Sequence, residues 1–581
     1  MRPHALKLLL LTASLATAGA LAQDASAPVT DHRASPEAAT VAGAAAPVRA
    51  ERFMAVTAHP LATRAAREIL REGGSAADAA IAAQAVLGLV EPQSSGLGGG
   101  AFALYWDGVG ITSIDGRETA PAAATPERFL DAEGNPRKWP DMVPGGLSVG
   151  VPGALAMYGE LHARHGKLPW PRLFQYAYRL AREGFGVSPR LSALLSDMGP
   201  DAFSPRARDY FFDAAGEAWP LGHVLRNPDY AATLLLIASE GAAGFYRGAF
   251  AAEIAETVRD AWNNPGDLTV TDMADYRAIP RKPVCFAYSA YRVCGMGPPS
   301  SGGLAVGMTL AMLEGLDLGD GPDARALHLI AEAEKLAFAD RNAYVGDPAM
   351  VTVPEGLSDP AYLASRAALI DPARSMGAAA PGTPPGLAPP AGDATKEAPG
   401  TSQISIVDAD GNAVSITTTI ESAFGSRLMV HGFLLNNELT DFSFKPADEA
   451  GRPAANRVEG GKRPRSSMAP TLVFRPDGSL FAVLGSPGGS RIIPYVVKAV
   501  VALIDWNMDP QQAAALANFG SRNGPFEIED GVLAMLVRPG IEARGHEWRI
   551  AGMTSGLNII VVGKGLAGGS DPRREGAALG D

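Results

Sequence analysis

Gly400-Thr401-Ser402-Gln403-Ile404-Ser405-Ile406-Val407-Asp408 is the stretch on which this chain turns. Before it lies a run rich in Pro, Gly and Ala, from about residue 371 to 400. After it the pattern changes to strands and glycine turns. A Gly-Thr bond at such a boundary is a place to cut the chain. Cutting there makes Thr401 a new N-terminus. One residue then carries both a nucleophile, its hydroxyl, and a base, its freed α-amine.

Downstream of Thr401, strands read through 404–407 and 414–419, with Asp410-Gly411 as the hairpin turn signal between them. Further strands are expected at 470–474 and 480–485, a helix at about 491–505, and closing strands near 532–537 and 557–562. Upstream, His59-Pro60 opens a helix through Leu70 that ends at Gly73-Gly74. Residues 75–90 are Ala-rich and apolar on most faces, which predicts a buried helix. Strands follow at 101–106 and 111–114. From about 152 to 276 the chain is mostly helical, with amphipathic stretches near 153–164, 171–183, 228–240 and 249–262. A helix reaches to about Leu313, and a long one spans 323–344. Two groups of strands with helices outside them predict a layered α/β sandwich.

Gly96-Leu97-Gly98-Gly99-Gly100-Ala101 carries the letters of a dinucleotide fingerprint, but that motif needs a strand before it and a helix after. Here the order is reversed. A backbone turn packed against another strand is the better reading.

With 581 residues, 47% of them hydrophobic, the chain has ample material for a buried core. Its net charge of −12 and the lack of a basic stripe argue against nucleic acid as a partner. The N-terminus reads as a signal peptide, residues 1–22, with Ala20-Leu21-Ala22 at the cut. Its apolar core of about 15 residues is short of the ~20 that span a bilayer, so no membrane anchor is expected after its removal. Residues 23–50 read as a disordered leader. The expected location is periplasmic or extracellular. The two cysteines, Cys285 and Cys294, flank a hairpin centred on Ser289-Ala290, and in an exported protein a disulfide between them is reasonable. Two unpaired thiols are the alternative.

Several chemistries find no support. There is no H-E-x-x-H; His162 and His165, the nearest pair, read as a solvated helix face. No G-x-S-x-G elbow and no P-loop occur. No metal and no cofactor is called for. What remains is a set of polar and glycine clusters: Thr417-Thr418-Thr419-Ile420-Glu421, Asn436-Asn437-Glu438-Leu439-Thr440-Asp441-Phe442, Lys462-Arg463-Pro464-Arg465-Ser466-Ser467-Met468, and Gly485-Ser486-Pro487-Gly488-Gly489-Ser490-Arg491.

Singly these are bland. Together, with Asp115-Gly116-Arg117-Glu118 and the glycine run at 96–100, they resemble the γ-glutamyltranspeptidases (glutathione hydrolases) of the N-terminal nucleophile hydrolases. The likeness runs from about residue 53 to 571. It implies a four-layer αββα sandwich built jointly by two fragments. The first is a large one, 51–400, ending in the linker at about 371–400; the second is a small catalytic one, 401–581. The resemblance implies self-cleavage between Gly400 and Thr401, giving a heterodimer of the chain's own pieces. Thr401 is then the nucleophile that forms a γ-glutamyl ester. Thr419 orients it, and the backbone N–H groups of Gly488 and Gly489 hold the oxyanion. Arg117, Ser466 and Ser467 hold the substrate's α-carboxylate, while Glu421, Glu438 and Asp441 surround its α-ammonium. Substrates would be glutathione and other γ-glutamyl compounds, with water, amino acids or peptides as acceptors.

Three departures from the family pattern stand out. Gln403 occupies a position where many members have His. Glu421 and Glu438 stand where some bacterial relatives carry Asn and Gln, while others carry Glu at both. Residues 442–461, a lid in some relatives, are of intermediate length. A cephalosporin or glutaryl acylase is the nearest rival within the fold, and an exported solute-binding protein is the non-enzymatic alternative.

Overall fold

The computed structural model describes residues 46–385, 391, 393, 395 and 400–581. The expected signal peptide lies outside the described residues, as does most of the expected leader. Val48–Ala50 does not belong to a leader: it is a strand that pairs with residues 566–568. The alternation of Val48 and Ala50 around a charged Arg49 was too short a signal to read as an edge strand.

Two seven-stranded sheets form the centre, and every pairing within them is antiparallel. The first runs Ala577–Gly580, Met54–Thr57, Thr401–Val407, Ala413–Thr419, Gly100–Trp106, Ile111–Gly116, Ile279–Arg281. The second runs Val48–Ala50, Leu566–Ser570, Asn558–Val562, Leu480–Gly485, Thr471–Phe474, Tyr291–Gly295, Val284–Tyr288. Each sheet takes strands from both sides of residue 400.

Side chains alternate across a strand, and that sorts the core into two. Ala101, Ala103, Ile404, Ile406 and Ile416 pack with the helices Pro60–Arg71, Ala76–Val90 and Ala154–His165. Met54, Val56, Phe102 and Leu104 lie on the opposite face, with Leu472, Val483 and Ile560 of the second sheet. Beyond that sheet lie Gly302–Leu313, Ala324–Tyr344 and Ile492–Ile504. The order is helix, sheet, sheet, helix, as the resemblance implied.

Local sequence explains the helices that matter. Ser75 and Asp78 close a reciprocal capping box at the start of Ala76–Val90. All fifteen residues of that helix are buried, which its small alanines permit. The expected strand at 532–537 is instead the helix Val532–Ala543. Only Ala534, Val537 and Ile541 are buried there, at helical spacing, while Val532, Met535 and Leu536 face outward. A run of consecutive apolar residues hid a one-sided helix. The hairpin pairs Cys285 directly with Cys294, and their sulfurs are bonded. No helix among the described residues is long and apolar enough to cross a membrane.

Near the start of the Thr401 strand the space between the sheets is polar. Gln403 Nε2 donates to Ser415 Oγ (2.9 Å), and Thr417 Oγ1 donates to Gln403 Oε1 (2.8 Å). Ser405 Oγ reaches Asn558 O (2.9 Å), and Ser415 Oγ reaches Leu484 O (2.8 Å). A Cβ on Gly485 would sit 2.3 Å from Gln403 Oε1. The Gln403 amide is therefore a buried bridge between two strands of the first sheet, packed against Gly485 of the second, which accounts for an amide at this position.

A second buried network ties residues near the start of the linker to the C-terminal part. His328 Nε2 bonds Asp371 O (2.8 Å) and His328 Nδ1 bonds His546 Nε2 (2.7 Å). Burial, with Lys335 nearby, holds the His546 imidazole down to about 3, and burial lowers His328 as well. His59 is held to about 4, again by burial. These folded values lie below the ordinary ~6.5, so the unfolded chain binds more protons as pH falls from there. The stability these groups contribute is present above pH ~6.5 and is lost on acidification toward pH 3 to 4. The thermal unfolding midpoint is expected to fall between pH 7 and pH 4, and less steeply in His546→Gln; equal slopes in the two proteins would contradict this.

Candidate active site

Thr401 opens its strand and is paired with Thr419, the last residue of the neighbouring strand. Directly opposed residues share a face, so the two hydroxyls meet. Thr401 Oγ1 donates a long hydrogen bond, 3.4 Å, to Thr419 Oγ1. Thr419 Oγ1 also accepts from the Glu421 N–H at 2.7 Å and donates to Gly400 O at 2.6 Å. A hydroxyl has one proton. The amide of Glu421 only donates, so the Thr419 proton points at the Gly400 carbonyl.

Position 400 has room for glycine alone: an added Cβ would sit 2.0 Å from Glu421 O. On the other side, Arg574 Nη1 donates to Thr401 O at 2.7 Å. Thr419 is itself wedged, because a Cβ on Gly99 would meet Thr419 O at 1.9 Å. This is the use of the glycine run. It is a turn pressed against strand ends and followed by the strand Gly100–Trp106, not by the helix that a dinucleotide fingerprint needs.

One small pocket is lined by Arg117, Thr401, Thr419, Glu421, Glu438, Asp441, Ser466, Ser467 and Gly489, together with Met468 and Ile492. Every residue assigned a site role from the sequence lines it, save Gly400 and Gly488, which adjoin Thr401 and Gly489. Gly488 and Gly489 have φ of +138° and +58°, values that disfavour other residues. They lead through a short 3-10 turn into Ile492–Ile504.

Arg117 is buried, 1% exposed, and its guanidinium is spoken for. Nη1 pairs with Glu438, and Nη2 pairs with Asp441 at 2.5 Å. Nε and Nη2 donate to Pro464 O (3.1 Å) and Arg465 O (2.9 Å). Burial alone would lower the Arg117 pKa, but the carboxylates of Glu438, Asp441 and Glu118 raise it above the ordinary arginine value. Two of the acids expected to meet a ligand's ammonium, Glu438 and Asp441, thus hold Arg117. Glu421 sits at φ +76°, and its Oε2 is bonded by Ser422 Oγ and by Asn437 Nδ2 (2.6 Å).

Sequence reasoning missed the residues behind Arg117. Tyr276 Oη donates to Arg117 O at 2.7 Å. Arg463 Nη1 reaches Asp115 Oδ1 (2.7 Å) and Arg117 O (3.1 Å). Glu118 lies 3.9 Å from Arg117 Nη1. Burial first, and then the charge of Glu438, push its pKa well above the usual carboxylate range. Asp115, Glu118 and Arg463 were in quoted motifs, so a signal existed; Tyr276 had none.

Donor sets for a cation are few among the described residues. His162 Nε2 bonds Leu168 O (2.9 Å) while His165 stacks on Tyr105, so the two do not converge. His328, Glu332 and His546 do come within 4.8 Å of one another. Lys335 Nζ, 2.7 Å from Glu332 Oε1, already supplies that cluster's positive charge.

Comparison with known proteins gives the family and the fold. A model of the family described as gamma-glutamyltranspeptidase matches residues 62–581. The chain is 38% identical over 549 residues to the glutathione hydrolase proenzyme of Escherichia coli, with 91% of each chain covered. It is 36% identical over 530 residues to the acylase ACY 1 proenzyme of Pseudomonas sp. strain SE83, covering 88% of this chain and 90% of that one. Among solved structures it is similar to the cephalosporin acylase from Bacillus halodurans. There the TM-score is 0.82 at 28% identity, covering 93% of this chain and 98% of that one. The chain belongs to the gamma-glutamyltranspeptidase family, and its fold is that of the N-terminal nucleophile hydrolases.

Removing one partner of a buried ion pair strands the others and costs roughly 3–5 kcal/mol. Arg117→Gln is therefore expected to lose about that much in urea unfolding. Arg164→Gln, which breaks an exposed pair with Glu160, is expected to lose ~0.5 kcal/mol or less. Similar losses in the two variants would contradict the placement of Arg117.

Proposed function

We propose that this chain is an exported, self-cleaving γ-glutamyltransferase and glutathione hydrolase that uses Thr401 as its nucleophile. The observation that carries the reading is the run of hydroxyl protons from Thr401 through Thr419 to the Gly400 carbonyl, inside a pocket with both signs of charge.

Cleavage follows from that run. Thr401 Oγ1 attacks the Gly400 carbonyl carbon. Its proton passes to Thr419 Oγ1 as the Thr419 proton passes to the carbonyl oxygen. The C–N bond then breaks, nitrogen takes the proton back, and the acyl group rests on Thr401 as an ester. Water opens the ester. The products are a carboxylate at Gly400 and a free amine on Thr401, whose ordinary pKa of about 7.7–8 suits a general base near neutral pH.

In the mature site the amine takes the Thr401 hydroxyl proton as Oγ1 attacks a γ-glutamyl amide. The proton goes on to the leaving amine. The oxyanion is held by the Gly488 and Gly489 N–H groups, and losing one such donor typically costs ~3–4 kcal/mol in the barrier. Water or an acceptor amine then resolves the ester, completing hydrolysis or transfer.

The substrate's glutamyl end is a zwitterion. Its carboxylate meets Arg117, Ser466 and Ser467, and its ammonium meets Glu421, Glu438 and Asp441. Because Arg117 is already paired with two of those acids, binding exchanges ion pairs rather than burying new bare charge. Glutathione and other γ-glutamyl compounds fit this. The likeness to acylases supports a second reading, a glutaryl or cephalosporin acylase. Such acyl groups carry no α-ammonium, so they bring the pocket acids no positive charge to exchange for Arg117.

Thr401→Ala is expected to remain one chain and to release no product from γ-glutamyl anilide. Wild type is expected to prefer γ-glutamyl over glutaryl anilide, and Glu438→Gln to shrink that preference at least ~10-fold. Faster turnover of the glutaryl compound by wild type would favour the acylase reading instead.

A further inference from the structure

Arg117 is not the only guanidinium that reaches the carboxylate end of the pocket. Arg341, on the helix Ala324–Tyr344, is 3% exposed and lies behind the serine pair. Its Nη2 donates to Ser467 Oγ at 2.6 Å. Its Nε donates to Ser301 Oγ at 2.8 Å. Ser301 in turn grips Ser466: both its Oγ (2.6 Å) and its N–H (2.7 Å) donate to Ser466 O. One buried side chain thus fixes the side chain of Ser467 and, through Ser301, the backbone of Ser466. Arg341 is itself held by Asn342 Oδ1 (2.8 Å) and by the face of Phe338, 5.6 Å away.

We propose that Arg341 is a positioning residue for the substrate's α-carboxylate, acting through Ser467 and Ser301. This rests on the pocket reading given above. The physical reason is the direction of the hydrogen bonds. A guanidinium has donors only, so Ser467 cannot give its own proton to Arg341. Its Oγ accepts there, which orients the Ser467 side chain where it lines the pocket. An oxygen that accepts from a cation is polarised and becomes the better donor to an anion. Without Arg341 this bond no longer sets the direction of the Ser467 Oγ.

The fork geometry matters as well as the charge. Two different nitrogens of one planar group reach Ser467 and Ser301 together, which a lysine ammonium cannot reproduce. The placement also crosses the proposed cut: Arg341 and Ser301 precede Gly400 in the chain, and the serines they organise follow it. The first fragment would then set the carboxylate contacts of the second.

The test compares three anilides. γ-Glutamyl carries both α-groups, glutaryl keeps only the carboxylate, and 4-aminobutyryl keeps only the amine. In Arg341→Lys, kcat/KM is expected to fall roughly tenfold for the γ-glutamyl and glutaryl compounds, chiefly through KM. For 4-aminobutyryl anilide it is expected to change less than about twofold. Ser301→Ala leaves the guanidinium in place and is expected to show the same selectivity with a smaller factor; it carries the test if Arg341→Lys does not mature. An equal fall for all three compounds in either variant overturns the proposal, since a general structural defect does not read the carboxylate. So does no fall at all. If wild type does not favour the two carboxylate-bearing compounds over 4-aminobutyryl, the pocket reading fails first and takes this proposal with it.

Discussion

The hydroxyl of Thr419 is the contact on which the rest depends. It touches the Gly400 carbonyl, the Thr401 hydroxyl and the backbone of Glu421 at once. Its own position comes from sheet register, since Thr419 is the ladder partner of Thr401. A slip of one residue between the two strands would turn one hydroxyl to the opposite face and part the pair. Register in turn is pinned by the two cores on either side of the sheet and by the polar bridge through Gln403. The fold thus delivers two hydroxyls and a carbonyl to one point with little local freedom.

The second constraint is electrostatic. Arg117, Glu438, Asp441 and Glu118 are all buried, which is tolerable only as a set. Backbone carbonyls of Pro464 and Arg465 and the scaffold of Arg463, Asp115 and Tyr276 hold the set in place. A site assembled this way is preorganised for a ligand that brings one charge of each sign. It offers little to a ligand with a single charge. Selectivity and stability share the same residues, so variants here are expected to affect both.

Much of this was legible in the sequence because the chemistry sits in compact motifs. Thr401, Thr419, Arg117, Glu421, Glu438, Asp441, Ser466, Ser467 and Gly489 line one pocket although some lie hundreds of residues apart. What the sequence hid were residues that act from behind. Arg341 sits within a helix that reads as core, and Tyr276 closes a helical region without any motif. Their roles arise only when distant elements stack. The helix Val532–Ala543 was misread because consecutive apolar residues mimic a strand. The edge strand Val48–Ala50 was missed because three residues carry no periodicity. The pairing among Arg117, Glu438 and Asp441 is also invisible there, since the motifs show which charges are present and not which of them meet.

The most direct test of the central claim is a time course on newly made protein. Intact mass and N-terminal sequence are followed alongside release of product from γ-glutamyl anilide. Activity is expected to rise in step with a fragment whose first residue is Thr401, and to be absent while the chain is whole. Full activity in material whose Gly400–Thr401 bond is intact would contradict the account.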